Sequence, residues 1–504
     1  MNFSVNNLHV NILGNEVLDG ISIAPAEKAC IGIVGESGSG KTMFARSVIG
    51  LLPGQSRVTG DFVLDGEPVS LNASERVWRN IRGKKIGLVM QDPFTSLDPL
   101  QRCGAQIRAG LAGAQARDFD VQRALDEVGL PSKVAHQYPF ELSGGMRQRV
   151  VIAAALATKP QILIADEATT ALDVITQREI LDLIDRLRRA RNMSLIIITH
   201  DLSIVSERTD FVLVFHNGKI VESGSTKTII SRPENAYTKA LLAAKHPAWT
   251  RTEKDSADKT RQSAHPLLDV RGLKKSFGGH MALDDVDLRV YERECVGVVG
   301  ESGSGKTTLA RCVIGLTKPD SGDIVFHRPA AESGSVFDAQ IVFQDPYSSL
   351  NPALTIRAIL AEALRAAKRP LSELPGLLDL VEIPHDFLNR KPAQLSGGQR
   401  QRIAIARALA PNPRLLICDE SVSALDVLVQ AQILETLREL RRKKNLSILF
   451  ITHDLDVVRQ IADRVYVMRD AAIVEEGDPW TLFHHPSHPY TKALLAAVGG
   501  DSCR

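Results

Sequence analysis

Short apolar runs recur along this chain at regular places. They lie at Ile31–Val34, Gln161–Ala165 and Leu195–Ile198, and again at Val296–Val299, Arg414–Cys418 and Ile448–Ile451. Runs of that length without polar alternation read as strands buried on both faces. Helical patterns separate them, one starting near Lys41 and another near Lys306. Strands alternating with helices predict an α/β fold whose parallel sheet is covered on both sides. The longest apolar run, Val150–Ala157, is far short of the ~18 to 20 residues that a spanning helix needs.

The pattern is written twice. IGIVGESGSGKTMFARSVIGL starts at Ile31 and VGVVGESGSGKTTLARCVIGL at Val296, an offset of 296 − 31 = 265. LSGGMRQR at Leu142 and LSGGQRQR at Leu395 are offset by 395 − 142 = 253. The second copy is therefore shorter between these motifs, by 265 − 253 = 12, as a missing surface hairpin or loop would make it. Residues 246–266 are polar, charged and nearly free of aliphatic side chains, the composition of a flexible linker. The expected organisation is one domain over 1–245, the linker, and a second domain over 267–504.

Composition narrows the classes. Lys and Arg number 61 against 59 Asp and Glu, a net charge of +2. That balance disfavours a protein built to coat nucleic acid. Hydrophobic residues make up 44%, enough for large cores and too many for global disorder. The six cysteines form no CxxC pair, so reduced thiols are expected. The N-terminus lacks a basic patch followed by an apolar block, and no secretory signal is expected.

The chemistry sits where strands end. GESGSGKT occurs at 35–42 and 300–307. Glycines there free backbone N–H groups to wrap a phosphate chain at a helix N-terminus. Candidate nucleotide-binding residues are Gly35, Ser37, Gly38, Ser39, Gly40, Lys41, Thr42 and Met43, with Gly300, Ser302, Gly303, Ser304, Gly305, Lys306, Thr307 and Thr308 in the second copy. Lys41 and Lys306 suit the β- and γ-phosphates, and Thr42 and Thr307 suit Mg²⁺. Asp166-Glu167 and Asp419-Glu420 close two apolar strands. Each aspartate fits a metal-holding role and each glutamate a general base; a carboxylate pair capping the next helix is the plainer alternative. Ser143-Gly144-Gly145 and Ser396-Gly397-Gly398 open a second helix in each copy, a second anion-binding start.

With both the phosphate loop and LSGG present twice, the chain resembles the ATP-binding cassette (ABC) ATPases over nearly its whole length. The resemblance implies two tandem P-loop NTPase domains of RecA-like fold, each with a helical and an antiparallel β subdomain, using ATP and Mg²⁺. It implies head-to-tail pairing, Lys41 with Ser396 and Lys306 with Ser143. Gln91 and Gln344 would lie near Mg²⁺ and the attacking water, His200 and His453 near the γ-phosphate, and Asp173 and Asp426 in the loop crossing between cassettes. Both histidines follow their glutamate by the same spacing, 200 − 167 = 33 and 453 − 420 = 33, which favours a functional role over a structural one. Phe277 fits the aromatic that stacks on adenine; the first copy offers only Ile12 there. The second copy's turn Arg469–Ala472 lacks the glycine present as Gly218.

The stretches after Gln91 and Gln344 and the tails RPENAYTKALLAA and HPSHPYTKALLAA resemble the oligopeptide, dipeptide and nickel importer ATPases. That branch implies an importer subunit at the cytoplasmic face of a bacterial inner membrane. Its partners would be two transmembrane permeases and, through them, a solute-binding protein. Phe94 and Tyr347 are candidate groove residues for a permease helix, or core residues. Short peptides are the expected cargo, with nickel chelates, opines or other small solutes as alternatives. A soluble tandem ABC ATPase acting on ribosomes or nucleic acid is the competing class. His484, His485 and His488 read first as a Pro-punctuated turn, and only second as a metal site. Cys30 and Cys295 read as small core residues.

Overall fold

The structure, a computed structural model, describes residues 3–111, 114–169, 172–245, 265–327, 338–345, 349–423 and 425–498. Nearly all of the expected linker, and Tyr347, lie outside them. The chain divides into two compact units, Met1–Lys245 and His246–Arg504.

In the first unit a six-stranded sheet has the spatial order Lys219–Ser225, Phe211–His216, Cys30–Val34, Ser194–Ile198, Ile162–Asp166, Ile86–Val89. The last five are mutually parallel, and Lys219–Ser225 turns back as an antiparallel edge. The apolar runs predicted as strands all lie in this sheet. Every residue of Cys30–Val34, of Ile162–Asp166 and of Ser194–Ile198 is buried.

Alternate side chains of these strands feed two different cores. Ile31, Ile33, Ile162, Ile164, Ile196 and Ile198 pack with Val5, Leu8 and Val10 of an antiparallel sheet and with Phe44 of helix Lys41–Ser47. Cys30, Leu163, Ala165, Leu195 and Ile197 pack with Val150, Ile152, Ile180 and Ile184 from the helices on the other side. At roughly 2 kcal/mol per fully buried Leu or Ile, burial on two faces explains why these strands carry no polar alternation. The helical segment 103–157 shares the second core through Ile107, Leu125, Val134 and Val150.

The second unit repeats the plan. Its six-stranded sheet runs Ala339–Val342, Leu415–Asp419, Ser447–Thr452, Cys295–Val299, Arg464–Arg469, Ala472–Gly477. The register is equivalent: Cys30 faces Leu195 in the first unit, and Cys295 faces Ile448 in the second. Val296, Val298, Leu415 and Ile417 join the antiparallel-sheet side, and Cys295, Leu416, Cys418 and Phe450 the helical side. Both equivalent cysteines are core residues, and burial pushes the Cys30 thiol up to about 12.

Most of the length difference between the copies can be located. The step from Leu64 to the next sheet strand at Ile86 is 86 − 64 = 22, and that from Phe326 to Ala339 is 339 − 326 = 13, a difference of nine. In the first unit that interval holds a very short strand, Glu67–Pro68, and helix Glu75–Ile81. Trp78 of this helix stacks on Phe62, with ring centroids 6.5 Å apart. This hairpin and helix add to the antiparallel side of the first unit's core.

Candidate functional site

Each strand that carries chemistry runs in the same direction, so all of its carboxyl ends open on one edge of the parallel sheet. This is where an open α/β sheet binds ligands. In the first unit, Cys30–Val34 runs into the phosphate loop, Ile86–Val89 toward Gln91, Ile162–Asp166 into Glu167, and Ser194–Ile198 toward His200.

The loop is shaped by backbone that only glycine tolerates. Gly35 has φ 151°, and a Cβ there would lie 2.1 Å from the Phe215 carbonyl oxygen; Gly300 has φ 159°, with the Met468 carbonyl at 2.2 Å. Helices Lys41–Ser47 and Lys306–Val313 begin at the predicted lysines. Lys41 Nζ donates to the carbonyls of Gly35 at 2.6 Å and Glu36 at 2.7 Å. Lys306 does the same to Gly300 at 2.8 Å and Glu301 at 2.6 Å. Both lysines are buried, so each ammonium charge is held against its own loop, where a polyanion would meet it. Ser39 Oγ is buried in this loop with no hydrogen-bond partner among the described residues. A buried hydroxyl without a partner is costly, and a phosphate oxygen would satisfy it.

Thr42 Oγ1 donates to Asp166 Oδ1 at 3.3 Å, and Thr307 Oγ1 to Asp419 Oδ1 at 3.2 Å. Burial pushes both aspartates above the usual carboxylate range, the threonine hydroxyls opposing it. Gln91 Nε2 donates to Glu167 Oε2 at 2.6 Å, and Gln344 Nε2 to Glu420 Oε2 at 2.8 Å. The other glutamate oxygen faces a histidine: His200 Nδ1 at 3.6 Å and His453 Nδ1 at 3.4 Å. Burial acts to raise both glutamates, but the facing histidine and the loop lysine hold them below their usual range. Burial would lower His453, and the Glu420 hydrogen bond and charge outweigh it, raising it. The two glutamates share φ 47°, a left-handed conformation that costs a non-glycine residue ~1 kcal/mol or more. It persists because each N–H is tied to the neighbouring strand, Glu167 to Ile198 and Glu420 to Ile451, both at 2.8 Å.

Each unit thus brings together its lysine, threonine, aspartate, glutamate, glutamine and histidine. Ser143 and Ser396 instead cap their own helices, Gly144–Ala157 and Gly397–Leu409, accepting from Met146 N at 3.4 Å and Gln399 N at 3.3 Å. Asp173 caps helix Val174–Arg191 through Thr176 N at 3.0 Å. Phe277 ends its strand with 52% of its surface exposed, and the Lys275 ammonium lies 5.3 Å from its ring centroid. Ile12 holds the equivalent position, partly buried against the core, while the adjacent Leu13 is 74% exposed. Phe94 is 63% exposed, with the Arg147 guanidinium 4.0 Å above its ring, so it is no core residue. His484 stacks on Trp480 at 3.7 Å and His488 accepts from Tyr490 N. Among the described residues, the group of three close metal-ligand atoms is His9, Glu16 and Asp19 instead.

Two contacts of the phosphate loops were not foreseen from sequence. Tyr237 and Tyr490, in the tail motifs, each accept a hydrogen bond from the residue after the first loop glycine. The signal available was the recurrence of AYTKALLAA and PYTKALLAA in the two tails.

The ABC transporter family matches residues 18–170 and 283–423. The oligopeptide/dipeptide transporter C-terminal region matches 221–269 and 474–499. The chain is 41% identical over 499 residues to the peptidoglycan transport ATP-binding protein YejF of Agrobacterium fabrum, covering 93% of this chain and 90% of that one. It is 39% identical over 523 residues to the glutathione import ATP-binding protein GsiA of Pectobacterium atrosepticum, covering 93% and 84%. Two tandem structures share the fold alone. The RNase-L Inhibitor matches with TM-score 0.62 and 20% identity, over 93% of this chain and 90% of that one. The archaeal ribosome recycling factor aABCE1, solved with stalk protein aP1, matches with TM-score 0.61 and 21% identity, over 90% and 87%.

The chain belongs to the ABC transporter family, as a tandem ATP-binding protein of the oligopeptide/dipeptide transporter type. It is an ATPase coupled to transport.

Proposed function

We propose that this protein powers the import of short peptides, working beneath two membrane permeases that receive cargo from an extracytoplasmic solute-binding protein. The observation that carries the reading is the joint presence, in both units, of a complete hydrolytic set and the oligopeptide/dipeptide tail. The identity to importer ATP-binding proteins supports it: one relative is named for glutathione, a tripeptide, and another for peptidoglycan. No helix among the described residues is long and apolar enough to cross a membrane, so membrane contact runs through the permeases. We place the protein at the cytoplasmic face of the bacterial inner membrane. The exposed Phe94, held under Arg147, is the docking residue for a permease helix in the first unit.

In this reading Lys41 and Lys306 turn from their own loop carbonyls to the β- and γ-phosphates. Glu167 and Glu420, ionised and steered by Gln91 and Gln344, take a proton from the attacking water; His200 and His453 neutralise charge beside the γ-phosphate. Thr42 with Asp166, and Thr307 with Asp419, offer hard oxygen ligands side by side, and Gln91 and Gln344 would add amide oxygens, a donor set that suits Mg²⁺. When bound, Mg²⁺ would supply charge neutralisation on the β- and γ-phosphate oxygens. Each signature helix start, at Ser143 and Ser396, is a second anion-binding start within its own unit.

The test is uptake of labelled tripeptides by native cells and by cells carrying Glu167→Gln with Glu420→Gln. Loss of uptake supports peptide import. Unchanged uptake with lost ATPase activity would move the cargo to nickel chelates, opines or other small solutes.

A further inference from the structure

We propose that Tyr237 and Tyr490, the tyrosines of the two tails, are positioning residues for the phosphate loops. The proposal rests on the reading of residues 35–42 and 300–307 as the ATP loops.

In the first unit, the Glu36 N–H donates to Tyr237 Oη at 3.0 Å; in the second, the Glu301 N–H donates to Tyr490 Oη at 3.0 Å. Glu36 and Glu301 each follow the loop's first glycine. The carbonyls of the same two residues accept from Lys41 and Lys306. Each of these loop residues is thus held at its N–H by the tail and at its carbonyl by the loop's own lysine. When the lysine turns to phosphate, its hold on the carbonyl is released. The tyrosine hydroxyl stays as the side-chain tether, just as the loop must keep its shape around the ligand.

The tyrosines are themselves fixed. His216 lies against the Tyr237 ring at 4.0 Å, and the Arg469 guanidinium over the Tyr490 ring at 4.9 Å. These partners hold equivalent positions, 469 − 216 = 253 apart. The tail helices Ala236–Lys245 and Pro489–Val498 are anchored at their starts by one carboxylate each. Glu222 accepts from the N–H groups of Glu234 at 2.7 Å and Asn235 at 3.2 Å, and Glu475 from those of Ser487 at 2.7 Å and His488 at 3.2 Å. The tail thus carries the position of an edge strand to the nucleotide loop. This joins the segment that marks the transporter branch to the segment that binds ATP.

The experiment is equilibrium ATP titration of the full chain carrying Tyr237→Phe or Tyr490→Phe, with Lys306→Ala or Lys41→Ala respectively silencing the other loop. Phenylalanine keeps the ring and its stacking and removes only the acceptor. The expected result is an ATP Kd weaker by about 2- to 12-fold, the range that loss of about one hydrogen bond gives, with the nucleotide-free thermal midpoint lower by no more than about 4 °C, because the lysine still holds the loop there. A Kd change smaller than about 2-fold in both variants overturns the proposal, as does a weaker Kd accompanied by a nucleotide-free midpoint lower by more than about 4 °C. If the parent chains carrying Lys41→Ala or Lys306→Ala alone each still bind two ATP, the reading of the loops fails instead, independently of the tyrosines.

Discussion

Replacing Glu167 and Glu420 by glutamine isolates charge from shape. In the native site Glu167 Oε2 accepts from Gln91 and Oε1 faces His200 Nδ1; Glu420 stands likewise between Gln344 and His453. A glutamine side chain can keep its carbonyl oxygen toward Gln91 and present its NH₂ to the histidine ring nitrogen. Packing, the left-handed backbone and the N–H tie to the next strand are retained, so stability should move by less than about 1 kcal/mol. What vanishes is a proton acceptor. A positioned general base is worth about 10²- to 10⁴-fold, or roughly 3 to 5 kcal/mol of barrier. The double variant should therefore release phosphate from ATP at least about 100-fold more slowly than the native chain, and each single variant should lose half or more of the rate. The assay is steady-state phosphate release, run beside a thermal melt to confirm folding. A single variant at the native rate would refute the claim that both sites turn over. A double variant retaining more than a tenth of the rate would refute the base assignment.

Other substitutions probe different parts of the argument. Lys41→Ala and Lys306→Ala remove buried charges that face the loop carbonyls; each should abolish ATP binding at its own loop, counted as a drop from two bound nucleotides to one by titration. Phe94→Ala removes an exposed ring with the Arg147 guanidinium 4.0 Å from its centroid; it should lower peptide uptake several-fold while the ATPase rate and melting temperature of the isolated protein stay unchanged. Gly218 has φ 76°, and a Cβ there would lie 2.6 Å from the Val17 carbonyl oxygen. Gly218→Ala should therefore cost about 1 to 3 kcal/mol in denaturant unfolding of the first unit.

The last prediction bears on what the sequence disclosed. The absence of glycine from the second copy's turn is visible in the sequence, but its consequence is not. The chain follows the same path there, with Asp470 at φ 48° and Ala471 at φ 69°. The Ala471 carbonyl accepts from Asp284 N at 2.8 Å, as Gly218 accepts from Asp19. The antiparallel sheet imposes the turn, and the local preference of alanine gives way.

The strands, the helix starts at Lys41 and Lys306, the twofold repeat and the residue types of the site were legible in the chain itself. Burial on both sheet faces forces unbroken apolar runs, and a phosphate-wrapping loop requires glycine at fixed spacing. Only the tertiary structure could show that Gln91 and His200, far from Glu167 along the chain and on opposite sides of it, close on its two oxygens. That meeting depends on which strands become neighbours in the sheet. The same holds for Tyr237 and Tyr490. The recurring tail motif marked their segments, but a hydroxyl reaching a backbone N–H in a loop near the other end of its unit is set by how the tail helix docks, and docking is a property of the assembled core.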